Sequence, residues 1–271
     1  MQGVVGAAMG GGFAANYMRR VLIVLILAVV AGCVASAQQI TVAAAADLNY
    51  ALTELAHQFE RNTGHKVTLS FGASGNLFSQ ISNGAPIDLY FSADEEYPKN
   101  LVVAGIADGS SLKTYAVGHV VLWVPNGSLD PNKLQMDLLT QPAVKRIAIA
   151  NPLHAPYGRA AMAAIEHYGL KDKVAGKLVF GENVSQAAQF VQSGNAQAGL
   201  IALSIAMAPA MQLAGKYWEL PNNAYPEFRQ AAVIMSSSKQ KKVAAEFLDF
   251  VLSPGGAAVF QQFGLTPAAH P

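Results

Sequence analysis

From residue 40 onward, short apolar runs alternate with stretches in which apolar residues recur every three or four positions. "ITVAAAA" (40–46) is a continuous apolar run of strand length, and Leu48, Ala51, Leu52, Leu55, Ala56 and Phe59 then mark one face of a helix that Gly64 ends. "KVTLSF" (66–71) alternates as a strand does, Leu77, Phe78 and Ile81 open a second helix closed by Gly84, and "IDLYFSA" (87–93) predicts a third strand. A helix near 95–104 precedes the strand "HVVLWVP" (119–125). "RIAIA" (146–150), a helix over 158–168, "KLVF" (177–180), a helix over 184–193 and "AGLIAL" (198–203) repeat the alternation. Such a pattern predicts mainly parallel sheets with helices on both faces.

The polar stretch "PNNAYPEF" (221–228) breaks the rhythm. A strand, "QAAVIMSSS" (230–238), follows it, then two helices near 240–252 and 255–263 separated by Ser253-Pro254-Gly255. No repeat or low-complexity block appears. The strand count fits two α/β lobes of roughly 110 residues each. Lobe 1 is expected to hold residues 38–117 and 230–271, and lobe 2 residues 118–229.

The first 37 residues follow another pattern. Arg19 and Arg20 precede an apolar run from Val21 to Ala31, and Ala35-Ser36-Ala37 forms an A-x-A cleavage motif, so residues 1–37 read as an export signal. The run is too short for a permanent span, which needs roughly 20 apolar residues. Residues 1–17 carry no signal feature, and Met18 is a more natural start. Val30-Ala31-Gly32-Cys33 also resembles a lipoprotein processing box with Cys33 as the lipidated residue. Simple cleavage before Gln38 fits better, because a first strand beginning at Ile40 leaves a lipid on Cys33 almost no tether. Either way the protein is expected in the periplasm.

Composition narrows the function. With 52% hydrophobic residues in 271, the chain can build real cores. Only 13% of residues are charged, and the net charge is +1 with no basic run, which leaves no electrostatic footprint for nucleic acid. Cleavage removes Arg19 and Arg20 and no acid, so 18 basic against 17 acidic residues become 16 against 17. The single cysteine excludes an internal disulfide framework and a Cys-x-x-Cys zinc site.

In parallel α/β units, ligands meet the carboxyl ends of strands, where helix N-termini present unsatisfied N–H groups and partial positive charge. Four such junctions here are built from small or polar residues: Ala46-Asp47, Gly72-Ala73-Ser74-Gly75, Pro156-Tyr157-Gly158 and Glu182-Asn183-Val184. Converging across a cleft, they would hold a small anion with neutral donors. Taken singly, each is also what any α/β turn requires, and Gly72 to Gly75 matches neither a GxGxxG fingerprint nor a Walker loop. The six histidines include no pair at helical metal-site spacing. Asp88 and Asp94 suit a strand-end hydrogen bond and a helix cap, Arg159 suits the rim of a site, and Ser74 has no His and acid partner for nucleophilic catalysis.

"ITVAAAADL", "LSFGASGNLFSQISNGAPIDLYFSAD", "IAIANPLHAPYGRAA" and "GENVSQAAQFVQSGNAQAGLIALS" resemble the successive signatures of the periplasmic molybdate-binding proteins of ABC transporters, and the likeness extends to "FGLTPA" (263–268). The resemblance implies the two-lobed type II periplasmic-binding-protein fold, with two strands crossing between the lobes. It also implies capture of molybdate or tungstate for delivery to a membrane permease and its ATPase; no cofactor and no catalysis are expected, and the chain is expected to be a monomer. Carried over by position, the oxyanion shell falls on Ala46, Asp47, Ser74, Tyr157 and Val184, with no protein atom on molybdenum itself. Ser74 would donate its hydroxyl and N–H, Ala46 or Asp47 and Val184 their N–H groups, and Tyr157 its N–H, hydroxyl or both. A donor-only site suits a fully deprotonated dianion, whereas phosphate keeps a proton and wants an acceptor; size then disfavours the smaller sulfate.

Two positions depart from the family pattern. Some members carry a serine in place of Asp47 and a tyrosine in place of Ala202, both on the oxyanion. Tyr157 is expected to supply the hydroxyl that Ala202 lacks. Asp47, which would repel a dianion, is expected to turn aside and cap its helix. Facing inward, it would favour a protonated oxyanion such as hydrogen phosphate. The alternatives are therefore a receptor for another oxyanion, phosphate or sulfate, and an exported α/β enzyme acting on an anionic substrate, which would need an acid/base pair in the cleft.

Overall fold

The computed structural model describes residues 37–127 and 129–268; the expected export signal, Cys33 and His270 lie outside the described residues. The first apolar run forms β1 (Gln39–Ala45), which pairs in parallel with β2 (Lys66–Gly72) on one side and β3 (Leu89–Ser92) on the other. Residues 42–45 of β1 are buried because the strand is central and covered on both faces. β2 lies at the sheet edge, where alternate residues reach solvent, as its alternating sequence requires. α1 (Asn49–Thr63) and α2 (Ser74–Ser82) cross between these strands, and Gly64 ends α1 at φ 75°, the left-handed cap that glycine allows.

After α3 (Glu96–Val103) and β4 (Lys113–Val117), the chain passes Gly118 into a second sheet as β5 (Val120–Pro125). There β6 (Ile147–Ala150), β7 (Leu178–Gly181) and β8 (Ala198–Ala202) are parallel, linked by α4 (Pro156–His167) and α5 (Val184–Gln192), while β9 (Gly215–Glu219) closes the edge beside β5. The chain returns after 221–228 as β10 (Arg229–Ile234), which inserts between β3 and β4; α6 (Lys241–Leu252), α7 (Pro254–Gln262) and β11 (Thr266–Pro267) complete the first sheet. The spatial orders are β11-β4-β10-β3-β1-β2 and β7-β6-β8-β5-β9.

Each sheet is mixed, with its parallel strands accompanied by antiparallel ones. β5 runs antiparallel to β8 and β10 antiparallel to β3 and β4. The cause is the crossing itself. The parallel strands β1, β2, β6 and β7 run toward the junction turns between the sheets, and a strand arriving from the other lobe starts on that side and runs away. β4, β9 and β11 have no counterpart among the expected strands. β9, "GKYWE", is a half-exposed edge strand with a charged residue at its second and last positions, so no apolar run announces it.

The helical stripe read from the sequence is the buried one: Ala51, Leu52, Leu55, Ala56 and Phe59 all face the core. There Phe59 and Phe91 meet the Phe247 ring of α6 edge-on, at centroid distances of 5.1 and 6.3 Å. This packing fixes β1 and α1, and so the turn between them. Phe247→Ala is expected to destabilise the protein by about 3–5 kcal/mol, read as a lower midpoint of chemical denaturation.

Candidate functional site

The turns at the carboxyl ends of β1, β2, β6 and β7 meet between the two sheets. Ala46, Asp47, Ser74, Tyr157 and Val184 all line one cavity there, with about 10 Å³ open to the centre of a water-sized sphere. Pockets for organic ligands enclose about 300–1,000 Å³, so this one is far too small for them.

Helix starts supply the cavity's chemistry. Ser74, Tyr157 and Val184 stand in the first turns of α2, α4 and α5, nine, twelve and nine residues long. Their amides therefore have no acceptor within their own helices, and the helix dipoles add partial positive charge. Pro156 occupies the first position of α4, where its missing N–H costs nothing. Asn183 caps α5 by accepting the Gln186 N–H at 3.0 Å. Ala46 opens a short 3-10 turn, Ala46–Leu48, that leads into α1. Ser74 Oγ accepts the Ala93 N–H at 3.0 Å, which leaves its own proton for another acceptor. None of the described residues lining the cavity is Lys, Arg or His.

Asp47 is the anomaly. It is 1% exposed. Its Oδ2 accepts from the Tyr157 hydroxyl at 3.1 Å and from Gln230 Nε2 at 2.8 Å, while Oδ1 is buried with no partner. Only Oδ2 is turned to these donors, and the side chain does not cap a helix as expected: neither the 3-10 turn nor α1 has a side-chain cap. The competing donors come from the other lobe and from the returning strand, and they hold the carboxyl before it can reach a helix N-terminus. Burial pushes its pKa up to about 6, against the pull of Gln230, Tyr157 and its own amide. Ionising it in the folded protein therefore costs about 3 kcal/mol more than in the unfolded chain. The Tyr157 proton is thus committed to Asp47. Of the two Tyr157 donors, the hydroxyl is taken up by Asp47, and the amide N–H at the start of α4 is the one left without an intrahelical acceptor.

The two sheets are bridged around the cavity. Ser185 Oγ donates to Ala46 O at 2.9 Å, Ser204 Oγ to Asp47 O at 2.7 Å, and Gly75 N–H to His154 O at 2.8 Å. At the lip, Arg159 pairs with Asp94 and lies 5.7 Å from the Tyr97 ring centroid. Asp94 also accepts the Tyr97 N–H at the start of α3, and Asp88 binds Thr41 N–H and the Ser238 hydroxyl at a strand end. Sequence reasoning passed over Gln230, Ser185 and Ser204. Gln230 left one trace, a single polar residue ahead of the apolar run "AAVIM".

The family model for "Bacterial extracellular solute-binding protein" matches residues 40–266. A cleft between two α/β lobes, lined by helix starts, is the architecture of that class. The molybdate-binding protein ModA of Azotobacter vinelandii is 38% identical over 90% of this chain and 96% of its own, and ModA of Rhodobacter capsulatus 34% identical over 85% and 89%. The solved structure of the Azotobacter vinelandii periplasmic molybdate-binding protein superposes with a TM-score of 0.79 at 36% identity, covering 86% of this chain and 99% of that one. The chain belongs to the bacterial extracellular solute-binding proteins, in the family of the molybdate-binding proteins.

A Cβ on Gly75 would lie 2.6 Å from the Tyr97 hydroxyl and 2.9 Å from His154 O, a backbone atom of the opposite lobe. Alanine is the better helix former by about 1 kcal/mol, so Gly75→Ala should leave the melting temperature of the empty protein unchanged or higher. It should nevertheless weaken anion binding by about tenfold or more, a loss of about 1.4 kcal/mol in calorimetry. The raised pKa of Asp47 means that the folded state binds its proton more tightly than the unfolded chain. Its contribution to stability is therefore full below about pH 4 and is lost as pH rises through about 6. Asp47→Asn should remove that component, so the wild-type-minus-variant difference in unfolding free energy falls across this window.

Proposed function

We propose that the protein is an extracytoplasmic receptor that captures molybdate, and tungstate, in the interlobe cavity and presents it to the permease and ATPase of an ABC transporter. The observation that carries this reading is a small cavity walled by amide and hydroxyl donors from four turns of two lobes, with no cation. A dianion there is stabilised by charge-assisted hydrogen bonds and aligned dipoles. Ala46, Ser74, Tyr157 and Val184 supply the donors, with Asp47 beside them. The molybdate is cargo, held through its oxygens, and no cofactor takes part.

Residues 38–117 with 230–271 and residues 118–229 move as two bodies about the crossings near Gly118 and Arg229, and the bonds across the cleft belong to the closed form. The protein works in the periplasm as a monomer after cleavage of residues 1–37. It performs no catalysis: the Ser74 hydroxyl accepts the Ala93 N–H and meets no base, and Asp94 is paired with Arg159. A second reading has one observation in its favour. The unpartnered Asp47 Oδ1 could accept from a protonated oxyanion such as hydrogen phosphate.

Calorimetric titration of the chain from Gln38 onward with molybdate, tungstate, sulfate and phosphate separates the two. One-to-one binding of the first two with the others silent is the expected result; a response to phosphate alone overturns it. Ser74→Ala should cost about 1–3 kcal/mol of molybdate binding, the scale of a hydrogen bond to a charged group.

A further inference from the structure

Asp47 carries one oxygen with two donors and one with none. Oδ2 receives Tyr157 and Gln230, and Oδ1 is buried and unpartnered in a residue of the cavity wall. As a carboxylate the group is half satisfied. As an acid with its proton on Oδ1 it keeps both bonds at Oδ2 and gains a donor. A dianion beside an ionised carboxylate would bring three negative charges into a cavity lined by no cation, and like charges so close in a water-poor site do not all stay ionised.

The neighbours offer no other relief. From α4 comes Tyr157 and from β4 Tyr115, both with ionisation pushed far above neutrality by burial. Gln230 of β10, Ser185 of α5 and Ser204 of the short helix Leu203–Ala206 do not titrate. Beside the crossing, His119 bonds to Thr266. The lip pair Asp94 and Arg159 carries one charge of each sign.

Resting on the proposed reading that the ligand is a fully deprotonated oxyanion, we propose that Asp47 is a neutral acid in the loaded site, its Oδ1–H donating to the ion. Capture of each dianion then takes up one proton from solvent, and release returns it. No bond of the ion breaks; the proton adds to the carboxylate, and the loaded site carries two negative charges instead of three. Asp47 thereby becomes a specificity residue: the same position that as a carboxylate would accept from hydrogen phosphate becomes, as an acid, one more donor for molybdate.

The test is titration of the protein with molybdate in buffers of different ionisation enthalpy between pH 7 and 9, on wild type and Asp47→Asn. For wild type, the dependence of observed on buffer enthalpy should give close to one proton taken up per ion, with affinity falling about tenfold per pH unit. Asp47→Asn should take up none, with affinity flat in pH. Should the variant fail to fold, an infrared difference spectrum of wild type, loaded minus empty, must gain a protonated-carboxyl band. Molybdate binding with no proton uptake and no such band overturns the proposal alone. Absence of molybdate binding at every pH overturns the molybdate reading with it.

Discussion

A multiply charged anion held without a counter-cation has to be held by dipoles, and dipoles act only at short range along fixed directions. That constraint runs through the whole molecule. No single turn can surround a tetrahedral ion, so donors have to arrive from several helix starts, and opposed donors have to arrive from two bodies. The parallel strands β1, β2, β6 and β7 bring four such starts to one place, and the two-lobed plan brings them from opposite sides. The aromatic packing of Phe59, Phe91 and Phe247 far behind the site is what keeps the first of these turns in place.

The crossings between the lobes serve the same end. Gly118 sits where a Cβ would meet Phe228, Gln230 Nε2 and the Tyr157 hydroxyl, each within 2.6 Å. The first crossing strand is thereby pressed against the second and against α4. Gln230 enters the site from the return crossing, and Tyr157 reaches Asp47 from the far lobe. The Asp47 carboxyl in the cavity wall is thus held from both the far lobe and the return crossing. The Asp47–Tyr157 bond joins the two lobes, whereas the Asp47–Gln230 bond lies within the first, so on the proposed reading closure completes the cluster beside the ligand.

Selectivity in such a site comes from what each wall atom can do. Amide groups donate and never accept, so they suit an ion with no proton of its own. Hydroxyls can do either, and Ser74, whose oxygen already accepts the Ala93 N–H, keeps its proton free to donate. Asp47 is the one carboxyl in the wall, and burial holds its pKa up at about 6, so on the proposed reading its protonation decides whether it accepts or donates.

Much of this is legible without coordinates. The periodicities of 40–46, 48–59 and 66–81 fix the alternating lobes, and the small residues at four junctions, together with the family-like segments, point to Ala46, Asp47, Ser74, Tyr157 and Val184. These are local properties: a helix start and its orphan amides are decided by the residues of the turn. What the tertiary structure alone decides is non-local. The direction of β5 and β10 follows from where the chain crosses. The half-exposed edge strand β9 has no apolar signal. The orientation of Asp47 is set by partners 110 and 183 residues away, Tyr157 and Gln230. A short side chain at a helix start takes the best donors within reach, and which donors are within reach is known only once both lobes have folded and met.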